Sequence, residues 1–430
     1  MEKSLDDIGI QVVKTSVPKT CICPDCGIEQ PVLRDREYLK KVKDLSLEKP
    51  TLLLVQRISA KCTNPDCPRK SFVLPTPGIE RYQRVTRRVK EEALNKNILD
   101  NIPYYRTACS LRRLNTSGSK SSIDRWKQKE ADQYGFKDII HQMDFSGVLG
   151  IDEYKPKRSR HYDLMAADAV KWRILYLESM PFSPSRAGTL SRGSIEQFCW
   201  HLKALKVNPW AIIVDLLAAY PKQVKRVWPK VIIQYDYFHV MQLTHKYLKN
   251  ALLHFRRQLQ GRHLESFRRE LWENKWRLLK NMDRWTAKDH EIIPGLIECY
   301  RDTPVEAILI FKEQLHRLFN TSHSKADAYT TRDSLFKERW WQDSWHLRKI
   351  MEFLMSSRFD YMITYLGNNH IPRSGNMENL IAIWRQMEKV RHGFRTEKGR
   401  QNHLKLYQIK NYLKGNLAEN SGKSQKVRGK

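Results

Sequence analysis

Two apolar runs in this chain each lead up to a carboxylate: Asp152 in SGVLGIDEY and Asp215 in WAIIVDLLAAY. Stretches rich in Ile, Leu and Val read as buried strands, so each run is expected to deliver its acid at a strand end. A third acid, Glu378 in SGNMENLIAIW, opens a helical pattern of Met377, Leu380, Ile381 and Trp384 and would face inward from a helix N-terminus. Carboxylates on rigid elements supply the hard oxygens that Mg²⁺ or Mn²⁺ takes, and a pair of such ions suits chemistry on a phosphodiester. Their uneven spacing is no obstacle, because the fold brings them together. Each has a structural alternative. Glu153 could stand in for Asp152, Asp215 could cap the following helix, and Glu378 could be a solvated helix residue with Glu388 and Glu397 as competing acids. Asp144 and Asp168 read as structural.

Around these acids the pattern is specific. SGVLGIDEYK, RHYDLMAADA and WRILYLES form three successive strands, the first two joined by the short basic turn PKRSR. A helix at GSIEQFCWHLKAL, a strand at WAIIVDL, a helix through AAYPKQVKRVW and a strand at VIIQYDYFHV follow. The order βββαβαβ is that of a ribonuclease-H-like sheet. A doubly wound fold would place helices between the first three strands.

With 430 residues the chain exceeds one comfortable core, and several domains are expected. Its 77 Lys and Arg against 47 Asp and Glu leave a formal charge of +30, which points to an extended polyanion as partner. Charge alone does not separate nucleic acid from an anionic membrane, but no segment offers ~20 consecutive apolar residues, and nucleic acid rather than a membrane is the expected partner. The N-terminus lacks a signal-peptide core, and a cytoplasmic, nucleoid-associated protein is expected.

Four of the eight cysteines fall into two knuckles, Cys23 and Cys26 in CPDCG and Cys62 and Cys67 in CTNPDCP. Four thiolates close a tetrahedral structural zinc site, and the alternating stretches between the knuckles suggest the short strands of a zinc ribbon. Cys21 could replace Cys23. Cys109, Cys199 and Cys299 lie in apolar helical surroundings and read as small core residues. Arg34, Arg36, Lys40, Lys41, Lys43, Arg57, Lys61, Arg69 and Lys70 give the ribbon a basic surface for DNA phosphates or for plain solvation.

After PTPG the sequence reads as short helices. Ser119, Ser121 or Ser122 would cap one carrying Ile123 and Trp126 inward and Asp124, Arg125 and Lys127 outward. Ser122, Arg125 and Lys127 make it a candidate recognition helix of a helix-turn-helix; an ordinary helical linker is the alternative. From His239 to about Leu366 the chain again reads as helices. Trp272, Trp276 and Leu279 recur there at helical spacing, which favours core over a base-stacking platform, and Arg256, Arg257, Arg262, Arg268 and Arg269 lie nearby, placed to hold DNA phosphates or a second subunit. Beyond Glu378, Lys389, Arg391, Arg395, Lys398 and Arg400 form a basic ramp, read either as a contact for the substrate backbone or as a solvated face. The last residues have almost no apolar content and are expected to be disordered.

CPDCG with CTNPDCP, GIDEY, VDLLAAY, YDYFHV and a late glutamate followed by RHGF together resemble the ISL-three family of insertion-sequence transposases. The resemblance covers nearly the whole chain. It implies a DDE enzyme with an N-terminal zinc ribbon, with Asp152, Asp215 and Glu378 as catalytic, magnesium-holding triad and with Asp236 and His239 supporting it. The last motif commonly has glycine after the glutamate, where Asn379 stands here. The implied organisation is α+β and multidomain: a zinc ribbon in 1–75, a helix-turn-helix region in 76–143, a ribonuclease-H-like core in 144–238 and 371–413 interrupted by a helical insertion in 239–370, and a basic tail in 414–430. Strand cleavage and strand transfer on transposon-end and target DNA by a homodimer are the implied activity. A catalytically inert DNA-binding regulator is the rival reading.

Overall fold

The structure, a computed structural model, describes residues 9–45, 51–76, 79, 84–114, 116, 118–156, 162–180, 192–391, 393–394 and 396–413. The turn PKRSR, the tail 414–430 and Arg395 fall wholly or partly outside the described residues. The chain divides into two compact units, Met1–Met143 with Trp384–Lys430, and Asp144–Ile383.

The first unit begins with strands β1 (Gly9–Val13), β2 (Thr20–Ile22), β3 (Glu29–Pro31), β4 (Arg34–Asp44), β5 (Thr51–Lys61) and β6 (Ser71–Val73). Strand β5 is the hub: β4 runs antiparallel along it, β1 parallel to its first half and β6 antiparallel to its end. β2 and β3 form a separate hairpin. Gly27 supplies the positive φ of 70° that turns the chain between them. The core beneath is small, built from Ile58, Ala60, Phe72 and Leu74 around the buried cysteines. Arg57, expected on the surface, is buried on β5 and donates to Thr76 Oγ1. Strand alternation turned it inward, and a hydroxyl acceptor on the neighbouring segment satisfies it.

Helices α1 (Arg87–Ile98), α2 (Tyr104–Arg113), α3 (Lys120–Ala131) and α4 (Phe136–Gln142) follow. The first three close over Val89, Ala93, Ala108, Leu111 and Ile123. Ser119 is the residue that caps α3, accepting from the Ser122 amide.

The second unit carries β7 (Val148–Tyr154), β8 (Tyr162–Asp168), β9 (Arg173–Met180), α5 (Arg192–Ala204), β10 (Ala211–Val214), α6 (Ala219–Val227) and β11 (Ile232–Tyr235). These make one five-stranded sheet in the order β11-β10-β7-β8-β9. β7, β8 and β9 are an antiparallel meander, whereas β10 lies parallel between β7 and β11. All four residues of β10 are buried, as the unbroken AIIV run requires.

From β11 the chain enters helices α7 (Tyr237–Gln258), α8 (Glu265–Leu278), α9 (Ala287–Cys299), α10 (Pro304–Asn320), α11 (Lys325–Lys337), α12 (Trp345–Leu354) and α13 (Phe359–Met362). Two expectations fail in this stretch. Cys299 is exposed at the last turn of α9, because Ile293 and Leu296 take the inner face. Trp272 and Trp276 are also exposed, since α8 buries only Leu271 and Leu278. The chain then returns to the sheet. The Gln234 side chain donates to the carbonyls of Pro372 and Arg373, and the Tyr237 amide also bonds the latter. Asp236 joins both ends of the helical stretch, capping α7 through the Phe238 amide and accepting from the Gly375 amide. Helices α14 (Met377–Val390) and α15 (Glu397–Gln408) follow; the unit boundary falls within α14. No helix among the described residues is long and apolar enough to cross a membrane.

Candidate metal centres and nucleic-acid contacts

The sheet register accounts for the meeting of the two aspartates. Val214 on β10 pairs with Ile151 on β7 in parallel, so the next residues, Asp215 and Asp152, leave adjacent strands side by side. His239, in the first turn of α7, lies between them, with Nε2 3.5 Å from Asp152 Oδ2 and Nδ1 3.5 Å from Asp215 Oδ1. One ligand atom from each of Asp152, Asp215 and His239 lies within 4.8 Å of the others.

Each carboxylate is steadied by the next amide in the chain: Glu153 N donates to Asp152 Oδ1 at 2.7 Å and Leu216 N to Asp215 Oδ1 at 2.5 Å. Asp152 Oδ2 and His239 Nε2 are buried without a hydrogen-bond partner, their 3.5 Å separation being an electrostatic contact. Asp152 Oδ2 therefore has the His239 ring beside it but no hydrogen bond, an arrangement that a directly bound cation would improve.

Electrostatics agree. Burial disfavours charge on His239, yet Asp152 and Asp215 outweigh it and raise the ring to about 9. Burial, with help from Asp215, also raises Asp152 against the pull of His239, and burial raises Glu153 to about 7 with help from Asp215 and Asp152. Negative charge is thus crowded here and incompletely compensated.

Among the described residues, neither Glu153 nor Glu378 belongs to the 4.8 Å group. Glu378 sits in the first turn of α14. The segment before it lies on the acid-bearing strands: a Cβ on Gly150 would meet Met377 Sδ at 2.7 Å, and one on Gly375 would meet Gly150 Cα and Ile213 Cγ2 at 3.7 Å. Gly150, two residues before Asp152, leaves the room that the Met377 side chain takes, while Gly375 packs on the strands at ordinary contact distance. Asp168 is committed elsewhere, accepting from Ser146 and from the Val170 and Lys171 amides, and Asp144 pairs with Lys171.

In the first unit Cys23, Cys26, Cys62 and Cys67 form a second group within 4.8 Å. Cys21 is not part of it among the described residues. The Cys23–Cys67 and Cys26–Cys62 sulfurs are 3.8 and 3.7 Å apart. Sulfurs ~2.3 Å from a tetrahedral zinc stand ~3.8 Å from one another, so the spacing fits, whereas a disulfide needs ~2.05 Å. The Cys26 amide holds the Cys23 thiol down to about 7, while burial pushes the Cys62 thiol up to about 12.

A family model for transposases of the ISL-three type matches residues 149–399, from β7 into α15. The chain belongs to the ISL-three family of transposases. Comparison with curated proteins gives no match.

For a transposase, the placement of the expected DNA contacts matters next. On α3, Arg125 is exposed and Ser122 half-buried, but Lys127 is only 3% exposed. Its Nζ lies over the Tyr104 and Phe394 rings and reaches the Gly399 carbonyl, so it cannot meet a phosphate. The reason is a second packing partner: α15 covers the face of α3 that one-helix periodicity leaves to solvent. Arg391 is likewise withdrawn, donating to the Met387 and Asn97 carbonyls, with burial lowering its guanidinium to about 10. Lys389 stays exposed and lines a cavity of about 660 Å³ with Arg106 and Arg385, two cations not singled out from the sequence. In the second unit of the transposase Arg257 and Arg269 are exposed. Arg268 is half-buried, and Arg256 donates to its carbonyl.

Proposed function

We propose that this transposase binds the ends of an insertion sequence and performs metal-dependent strand cleavage followed by strand transfer, with Asp152, Asp215 and Glu378 holding magnesium. The observation that carries this reading is the convergence of Asp152 and Asp215 on one buried point where a carboxylate oxygen lacks any donor. Hard oxygens of this kind suit Mg²⁺ or Mn²⁺. The approach of Met377 and Gly375 to β7 and β10 supports Glu378 as the third ligand. Magnesium held there supplies Lewis acidity and neutralises charge on the phosphate.

The chain's own residues do the rest. Amides of Glu153 and Leu216 fix the two carboxylates, and the sheet keeps them adjacent without a rearrangement. Before a metal enters, the protonated His239 ring offsets their mutual repulsion. Asp215, the more exposed of the pair at 28% against 5%, marks the side open to substrate.

The sheet order supports a ribonuclease-H-like core in 144–238, with 239–370 as a helical insertion. The bonds of Gln234 to 372–373 support resumption of the core at 371, while Trp384 onward belongs to the first compact unit rather than to a core reaching 413. The four-sulfur cluster supports a structural zinc ribbon in 1–75, and the capped α3 with exposed Arg125 supports a helix-turn-helix in 76–143. We take the working form to be a homodimer on paired DNA ends, in the cytosol.

The test uses DNA bearing the ends of the element with Mg²⁺. Wild-type protein nicks the ends and joins the freed 3′ strand to target; Asp152→Asn does neither. Equal cleavage by the variant rejects the site, and tight binding without cleavage by the wild type in either metal identifies an inert regulator.

A further inference from the structure

Helix α8 has two apolar stripes. Leu271 and Leu278 pack inward, while Trp272 and Trp276, one turn apart, are 44% and 62% exposed. Single exposed apolar residues need no explanation, but two adjacent indoles on one face do.

Cations surround them. Lys275 Nζ is 3.6 Å from the Trp272 ring centre, a nearness that i,i+3 helical spacing delivers, and 5.9 Å from that of its sequence neighbour Trp276. Two others come from a different helix: Lys249 lies 5.5 Å from the Trp276 ring centre, and the Arg256 guanidinium 4.8 Å from that of Trp272. Lys249 and Arg256 are seven residues apart on α7, so the packing of α7 against α8 lines both up with the indoles. Trp272 is occupied by this arrangement. Trp276, the more exposed of the two, has its two ammonium groups farther off, at 5.5 and 5.9 Å from the ring centre.

A protein partner fits poorly, because interface cores are depleted in lysine. A planar group carrying phosphates on either side fits both the ring and the ammoniums. Bases inside a duplex hide their faces, so the ring suits an unpaired one.

We propose that Trp276 stacks an unpaired DNA base, with Lys249 and Lys275 contacting its flanking phosphates. The proposal rests on DNA being the substrate, and names single-stranded or frayed DNA as a form the protein recognises. Binding is measured with full-length zinc-loaded protein, without magnesium, on a blunt duplex and on the same duplex with a short single-stranded extension containing 2-aminopurine. Trp276→Ala weakens binding of the extended DNA by about 5- to 100-fold. It abolishes 2-aminopurine quenching and leaves the blunt duplex within about twofold, while Trp276→Phe retains most of the effect. Because the side chain is exposed, the thermal midpoint stays unchanged and serves as the folding control. Equal loss on both DNAs, or no loss on either, overturns the proposal. So does a loss of self-association by light scattering with DNA binding intact, which would make the face a contact between copies. Failure of the wild type to bind either DNA instead overturns the transposase reading itself.

Discussion

The two ligand clusters are held in opposite ways. The cysteines stand on two tight turns, with Gly27 N bonded to Cys23 O and Cys67 N to Asn64 O, and the four sulfurs lie within 4.8 Å of one another over a core of a few residues. The aspartates stand on neighbouring strands of a thoroughly buried sheet, and their cluster is unsatisfied and open beside Asp215. A closed soft-ligand site stabilises its surroundings, whereas an open hard-ligand site is stabilised by them and is left free to do chemistry.

Zinc removal should break the comparison most forcefully. Structural zinc contributes ~10–16 kcal/mol of apparent binding energy in small domains. Chelation should therefore unfold the knuckles, with hydrogen exchange of the Cys23, Gly27, Cys62 and Cys67 amides accelerating by orders of magnitude while β7 and β10 stay protected. Equal loss of protection in both regions would erase the distinction. Next in size, Asp152→Asn should lower Mg²⁺-dependent cleavage by about 10³-fold or more, several kcal/mol of transition-state stabilisation, without changing the zinc content. Smaller again, His239→Gln should alter Mn²⁺ affinity, read by electron paramagnetic resonance, by about 10- to 100-fold. Cys62→Ser should leave that affinity unchanged.

The smallest effect concerns the helical part of the first unit. Burial, aided by Arg391, lowers Lys127 from 10.5 to about 7. Between those values the unfolded chain binds a proton that the folded chain does not, so this group makes stability rise with pH across that window, by at most about 1.4 kcal/mol per unit. His403, buried with its pKa driven well below 6.5, similarly makes stability fall as pH drops under 6.5. Lys127→Met should raise the urea midpoint at pH 7 and leave it nearly unchanged at pH 10. A gain of equal size at both pH values would exclude the buried charge as its cause.

Local pattern carried the parts of the fold where one element decides its own environment. The runs ending at Asp152 and Asp215 are strands, and the CPDCG and CTNPDCP turns bring four sulfurs together. Pattern failed where a distant element decided. Nothing around Lys127 announces that α15, more than two hundred residues later, will bury it, and Arg391 is held by a carbonyl on α1. Trp272 and Trp276 read as core because large apolar residues at helical spacing normally are; that α8 is served by Leu271 and Leu278 alone is a property of the packing around it. His239 was visible in YDYFHV only as a companion of the site. Its central place depends on where α7 starts, a tertiary fact.

The dual role of the Asp236 side chain has a consequence for how such a protein can vary. Because one carboxylate grips both the exit from the sheet and the re-entry into it, the seven helices between hang from a clasp rather than from a flexible tether. Changing the length of what hangs there costs little in closure entropy, only ~0.6 kcal/mol for each doubling of a flexible loop. The segment is in this sense a cassette: it can be lengthened, trimmed or exchanged while the strands that carry the acids keep their register.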